Sequence, residues 1–477
     1  MVKSYTSLNE IKSEIANGKI TVEKLVRGYL DKISANARLN AFNEVFEQEA
    51  LICAQKVDTR IKQGTAGKLA GMVIAIKDNI CYKGHKVSAS SKILKNFTSV
   101  YSSTIVERLL AEDAIIIGRC NCDEFAMGAA NENSYFGAVK NYADETRVPG
   151  GSSGGSAVAV QAGMCHAAIG TDTGGSVRQP ASFCGLIGLK PTYGRISRHG
   201  IIAYASSFDQ AGPITRSIED AELLLEVMAG PDEYDSTLAN NPVPSFGKDT
   251  RPVSPKKIAY LQEALSSPGV DDEVKSNLIK YIEKLRAEGH TVKPIAFEYL
   301  DYLVPAYYIL AMAEASSNLS RYDGVHFGYR SAAANDLQST YKRSRSEGFG
   351  KEVKRRIMLG TFVLSAGYYD AYFAKAQKVR RLIREKTNAI LKEYDFILLP
   401  TAPEPAFAIG KVEKDPVVTY LSDIFTVQAS LTGAPAISLP TGNNSRGLPL
   451  GLQLLTRHFE ERELLNFSKY FLELYKN

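Results

Sequence analysis

The chain has 477 residues, 44% hydrophobic and 23% charged, with a net charge of +5. That balance excludes a disordered or fibrous chain, and the excess of positive charge is too small and too spread to name a polyanion as the main partner. Six cysteines, at 53, 81, 120, 122, 165 and 184, are too scattered for a disulfide framework, and six isolated histidines supply no metal-ligand cluster.

Residues 1–66 read as an N-terminal helical segment. Ser7 and Glu10 have the spacing of a capping box, and Thr21 starts a second helix. The opening residues MVKSYTSLNEIKSEI lack the apolar core of a secretory signal, and no apolar run reaches the ~18 residues of a membrane span. A cytoplasmic protein that does not enter the membrane is expected. LAGMVIAIKDN, residues 69–79, reads as a buried strand that runs into a charge at Lys77. A helix over 103–111 and a strand over 114–118 follow. A helix near 153–163 and a strand near 165–170 come next, with a glycine-serine burst at each outer end. Helices are expected near 217–229 and 271–289, with strands at Ile258–Tyr260 and Thr291–Ile295. The polar stretch 240–257, rich in proline, reads as a surface loop. Helical sequence covers 303–394, and its basic runs Lys351–Arg356 and Lys375–Lys386 read as solvated faces. Late strands are expected in FILLP (396–400) and ISLP (437–440). Alternation of this kind predicts an α/β chain with a parallel or mixed sheet.

The two bursts, GGSSGGS and GTDTGGS, carry the chemistry. A flexible linker would be flanked by polar sequence, but SAVAVQAGMCHAAIG between them is small and apolar. A P-loop requires a Lys after its last glycine, a dinucleotide loop requires G-x-G, and a nucleophile elbow requires G-x-S-x-G; none of these is present. A serine nucleophile with some base other than histidine remains. Lys77 is the candidate. A lysine at a strand end commonly snorkels to solvent, but a buried one loses proton affinity and becomes a general base. A second serine can relay the proton. Consecutive amides in Asp172-Thr173-Gly174-Gly175-Ser176 can then form an oxyanion hole.

The stretch GGSSGGSAVAV…GTDTGGSVRQPASFCGLIGLKPTYGR resembles the amidase signature family. The resemblance implies a single α/β domain over 1–477, with a signature core at 67–230 and a helical block at 303–394 lining the substrate site. It implies a central mixed, mostly parallel twisted β-sheet covered by helices on both faces. It further implies a Ser–cis-Ser–Lys triad: Ser176 as nucleophile, Ser152 as relay after a cis peptide bond, and Lys77 as base. Thr173, Gly174 and Gly175 match the oxyanion positions.

FAMGAANENSYFGAVKN, RISRHGIIAYASSFDQAGPITRS and GFGKEVKRRIMLGTFVLSAGYYDAYF are similar to one branch of that family, the glutaminase subunits of tRNA-dependent amidotransferases. That likeness implies L-glutamine as substrate. Arg356 in EVKRRI would hold its carboxylate, with neighbouring Arg355 as the open alternative. Asp423 in YLSDIFT would hold its ammonium, and Tyr307 in PAYYIL would line the site. A zwitterion asks for one cation and one anion, and a guanidinium fork fits a carboxylate. The likeness also implies two partners, the B and C subunits of such an amidotransferase. Glu-tRNA(Gln) would be held mainly by a partner, with ATP and Mg²⁺ on that partner, no metal or cofactor in this chain, and a bacterial cytoplasm as its location. Two departures, Ala129-Ala130 after FAMG and His199 in RISRHG, are expected to stand clear of the triad. A stand-alone amidase acting on small amides would share the triad and differ at Arg356 and Asp423.

Overall fold

Every residue of Val73–Lys77 is buried, because this strand lies inside an eleven-stranded sheet rather than at its edge. The computed structural model describes residues 3–246, 254–411 and 421–476. Its strands are β1 (Phe42–Val45), β2 (Val73–Lys77), β3 (Ile115–Cys120), β4 (Ala167–Asp172), β5 (Ile187–Lys190), β6 (Gln210–Thr215), β7 (Lys257–Leu261), β8 (Thr291–Ile295), β9 (Phe396–Pro400), β10 (Ala436–Asn443) and β11 (Pro449–Leu455). They hydrogen-bond in the order β1-β3-β2-β4-β6-β5-β10-β11-β9-β7-β8.

The sheet is mixed, as expected, but it is not mostly parallel. Among the described residues β2 runs parallel to β3 and β4, and β7 to β8 and β9. The other six pairings are antiparallel. The expectation failed because β5, β6 and β11 went unread. IGLK, QAGPIT and PLGLQLL each carry glycine or proline, which hide the strand pattern. Those three strands make most of the antiparallel contacts.

Helix signals fared better. Ser7 caps Leu8–Ala16 by accepting the Glu10 amide at 3.4 Å, while the Glu10 carboxylate reaches back one residue further, to the Thr6 amide at 3.1 Å. Thr21 caps Val22–Ala35. The segment 1–66 also holds β1, which was read as helix. The stretch 303–394 holds four α-helices, Leu300–Asn318, Leu337–Gly348, Lys351–Leu364 and Lys375–Glu393, with non-helical passages at 322–336 and 365–369. Leu300–Asn318 and Lys351–Leu364 pack so closely that a side chain at Gly360 would run into the Met312 carbonyl. Part of the loop expected over 240–257 lies outside the described residues. Among the described residues no helix is long and apolar enough to cross a membrane.

Two features place the site. β2 and β4 are parallel neighbours, so their C-terminal ends, bearing Lys77 and Asp172, emerge side by side mid-sheet. Between Ser153 and β4 runs the helix Gly154–Gln161, buried from Gly154 to Val160. Its small residues let it lie flat against the sheet and return the second burst beside the first.

Candidate active site

Lys77 is fully buried. Its Nζ lies 2.7 Å from Ser152 Oγ, 2.9 Å from Ser153 Oγ, 3.0 Å from Thr171 Oγ1 and 3.4 Å from the Thr171 carbonyl. The Gly151–Ser152 peptide is cis. Burial lowers the Lys77 pKa to about 8, against the pull of Cys122, Asp123, Asp172 and Asp209.

The surroundings also aim its lone pair. Ser153 Oγ donates to the Thr171 carbonyl at 3.2 Å and accepts the Thr171 amide at 3.3 Å. A hydroxyl has one proton, so towards Lys77 it can only accept. Thr171 Oγ1 accepts Asn79 Nδ2 at 3.0 Å and takes a second N–H from Lys77. With its two N–H groups on Ser153 and Thr171, a neutral lysine turns its lone pair to Ser152.

Ser176 is 7% exposed, the most accessible of the three triad residues. Among the described residues its Oγ has no hydrogen bond to Ser152. A backbone contact runs alongside instead, from Ser153 N–H to the Ser176 carbonyl at 3.2 Å. The Lys77–Ser152 half of the relay is thus formed by a direct hydrogen bond.

The loop around Ser176 is wound on Asp172. This carboxylate accepts the amides of Gly175 (2.9 Å), Val177 (3.3 Å) and Arg178 (3.4 Å). It also takes the Arg178 guanidinium through Nε and Nη2, each at 3.0 Å. Burial would raise the Asp172 carboxyl, but Arg178 beside it holds it below the usual carboxylate range. One sequence expectation changes here. The Gly175 amide, read as an oxyanion donor, is committed to Asp172. Among the described residues the amides of Thr173, Gly174 and Ser176 find no acceptor, and they are the donors left for an oxyanion. Thr173 anchors the same loop through its hydroxyl, which donates to Asp209 Oδ1 at 2.7 Å.

Tyr307 is buried and stands against this loop: a Cβ at Gly174 would sit 2.5 Å from its hydroxyl. The next residue, Tyr308, was not singled out from the sequence. It donates to Asp423 Oδ2 at 2.6 Å, and its ring lies 5.3 Å below the Arg356 guanidinium. Arg356 also donates to the Tyr204 hydroxyl at 2.8 Å and to Glu352 at 2.9 Å. Its side chain is 5% exposed, that of Arg355 38%. Arg356 turns inward and Arg355 outward, and the reading of Lys351–Arg356 as a wholly solvated face fails at Arg356. Asp423 is buried, and burial pushes its carboxyl up to about 6.

Neither departure touches a triad residue, though one comes close. The backbone of Ala129-Ala130 packs under Gly151, the residue before the relay serine. His199 stacks on Tyr234 at 4.5 Å. Tyr204, Tyr308, Asn79 and Thr171 escaped the sequence reading because their parts depend on contacts between distant segments. The one available signal was the doubled tyrosine in PAYYIL.

A family model described as Amidase matches residues 24–465. The chain is 50% identical to the A subunit of the glutamyl-tRNA(Gln) amidotransferase of Chlorobium luteolum, across 98% of this chain and 96% of that one. The crystal structure of the A subunit of glutamyl-tRNA(Gln) amidotransferase from Thermotoga maritima superposes with a TM-score of 0.76 at 40% identity, covering 94% of this chain and 91% of the other. A native peptide amidase from Stenotrophomonas maltophilia reaches a TM-score of 0.81 at 28% identity, covering 99% and 97%.

Proposed function

The chain belongs to the amidase family, and from that premise we propose that it is the glutamine-hydrolysing subunit of a tRNA-dependent amidotransferase. The observation that carries this reading is the pair Arg356 and Asp423. They bring opposite charges to one tyrosine, Tyr308, on the approach to the Ser176 loop. A simple amide needs neither charge; a free amino acid needs both. Likeness to curated A subunits of glutamyl-tRNA(Gln) amidotransferases over nearly the whole chain supports the same reading.

Neutral Lys77 draws a proton from Ser176 through Ser152, and Ser176 Oγ attacks the side-chain carboxamide carbon of glutamine. The negative oxygen that forms is met by the free amides of Thr173, Gly174 and Ser176. The C–N bond breaks, and the leaving nitrogen takes the proton back through Ser152, departing as ammonia. Water, deprotonated along the same path, cleaves the glutamyl ester, releasing glutamate and restoring Ser176. Ammonia passes to a partner subunit, which would hold the ATP and Mg²⁺ needed to convert Glu-tRNA(Gln) to Gln-tRNA(Gln).

The test is ammonia release from L-glutamine by the chain alone and with its partner subunits, ATP and Glu-tRNA(Gln), with S176A as the blank. Slow release alone that rises steeply with the partners and vanishes in S176A supports the reading. Brisk hydrolysis of simple amides with no response to partners would make the protein a free-standing amidase.

A further inference from the structure

Asp423 and Thr426 share one turn: the Thr426 amide donates to the Asp423 carbonyl at 3.0 Å. The Thr426 hydroxyl, fully buried, donates to the Gly174 carbonyl at 2.5 Å. The amide on the other side of that same peptide unit, Gly175 N–H, is held by Asp172. The Gly174–Gly175 plane is therefore pinned at both its oxygen and its nitrogen. The free amides of Gly174 and Ser176 belong to the two flanking planes, so their aim follows from this one. Arg178 closes the ring by bonding Asp172 and donating to the Thr426 carbonyl at 2.9 Å. There is no slack in the contact. Gly175 sits at φ +136, and a side chain there would overlap Thr426.

We propose that Thr426 is a positioning residue that ties the oxyanion amides to Asp423, so that the α-ammonium of glutamine governs turnover as well as binding. A ligand drawn onto Asp423 loads the 423–426 turn. That turn cannot move without carrying the Gly174 carbonyl with it. Amides lacking an α-amine would then bind more weakly and also turn over more slowly once bound. The inference rests on the reading of Asp423 as the ammonium site, and the experiment separates the two.

Ammonia release is measured for L-glutamine and for glutaramic acid, which lacks the α-amine, using the chain co-purified with its partner subunits. The wild type is expected to show a lower kcat, as well as a higher KM, on glutaramic acid. T426V, which keeps the shape and loses the hydroxyl, is expected to lose about tenfold in kcat on glutamine with KM within about threefold, and to narrow the kcat gap between the substrates. T426S restores the hydroxyl and should behave as wild type. Equal kcat for the two substrates in the wild type overturns the proposal without any variant. So does a gap that T426V leaves unchanged, or T426V and T426S behaving alike. D423N tests the underlying reading: it should raise KM for glutamine and leave glutaramic acid nearly untouched. If D423N affects both substrates equally, the ammonium assignment falls.

Discussion

Lys77 Nζ sits 2.7 Å from Ser152 Oγ, and among the described residues no carboxylate bonds to it. An ion pair would hold the proton on the lysine. Burial without one loosens the proton, bringing the pKa to about 8. Because the neutral amine is the working form, kcat/KM for glutamine should rise with pH and level off above about 8. A profile falling through that range would mean Lys77 acts as a cation. K77M should lower turnover by at least about 10²-fold, the lower range for general-base catalysis. The lowered pKa also means the unfolded chain binds the proton more tightly between about 8 and the ordinary lysine value. Lys77 therefore costs stability below pH 8, a cost relieved as pH rises. K77M, dead in activity, should melt no lower than wild type at pH 7.

Arg355 and Arg356 are neighbours in sequence that face in different directions. R356A removes a buried guanidinium and should raise KM for glutamine about 10–100-fold, the worth of one or two charge-assisted hydrogen bonds. R355A breaks a half-exposed pair with Glu352 and should change KM less than about twofold. Steady-state kinetics on the two variants decides it, and comparable effects would mean the carboxylate site lies elsewhere.

How much of this was legible follows from what kind of information each residue carries. The triad could be read because its geometry is local: Lys77 ends a strand, and the two bursts are one buried helix and one strand apart. The cis bond before Ser152 came only through the family resemblance. Arg356 could not be separated from Arg355, since a turn of about 100° per residue decides which points inward, and the sequence does not set the phase of the helix against its neighbours. The commitment of the Gly175 amide to Asp172 could not be read either. The direction of an amide depends on backbone dihedrals, and glycine leaves those open. Thr426 and Tyr308 gain their roles only when segments more than a hundred residues apart meet.

Glu124 positions Arg356 from a distance. It is buried, takes the Ser91 hydroxyl at 2.5 Å, and accepts the Gly350 amide at 2.9 and 3.1 Å. Gly350 is the cap of the helix bearing Arg356 and has no side chain to serve itself. E124A strands that amide and should destabilise the fold by about 1–3 kcal/mol, with KM for glutamine rising more than kcat falls. E124Q keeps an acceptor and loses the charge at the helix start, so KM should rise only about two- to fivefold. Burial raises the Glu124 carboxyl to about 7, so its contribution to stability is fullest at low pH and is lost as pH rises through 7. E124Q should accordingly match or exceed wild-type stability at pH 8. A lower melting temperature in E124Q than in E124A would contradict the capping role.

Tyr308 and Asp423 give the sharpest pH test. Burial raises the Asp423 carboxyl to about 6, and the hydrogen bond from Tyr308 opposes that rise. The carboxylate, not the acid, attracts an ammonium, so KM for glutamine should climb as pH falls through about 6. Acid unfolding through this group is not the cause: a raised carboxyl pKa adds stability that is present at low pH and lost as pH rises through 6. Y308F removes the opposing hydrogen bond, so Asp423 should take up its proton at higher pH and the climb in KM should begin closer to neutrality. Glutaramic acid has no ammonium to place there, and its KM should stay flat over the same range in both proteins. The measurement is KM against pH for the two substrates in wild type and Y308F. An identical acid limb for both substrates would assign the titration to some other group, and an unmoved limb in Y308F would mean the tyrosine does not set the charge on Asp423.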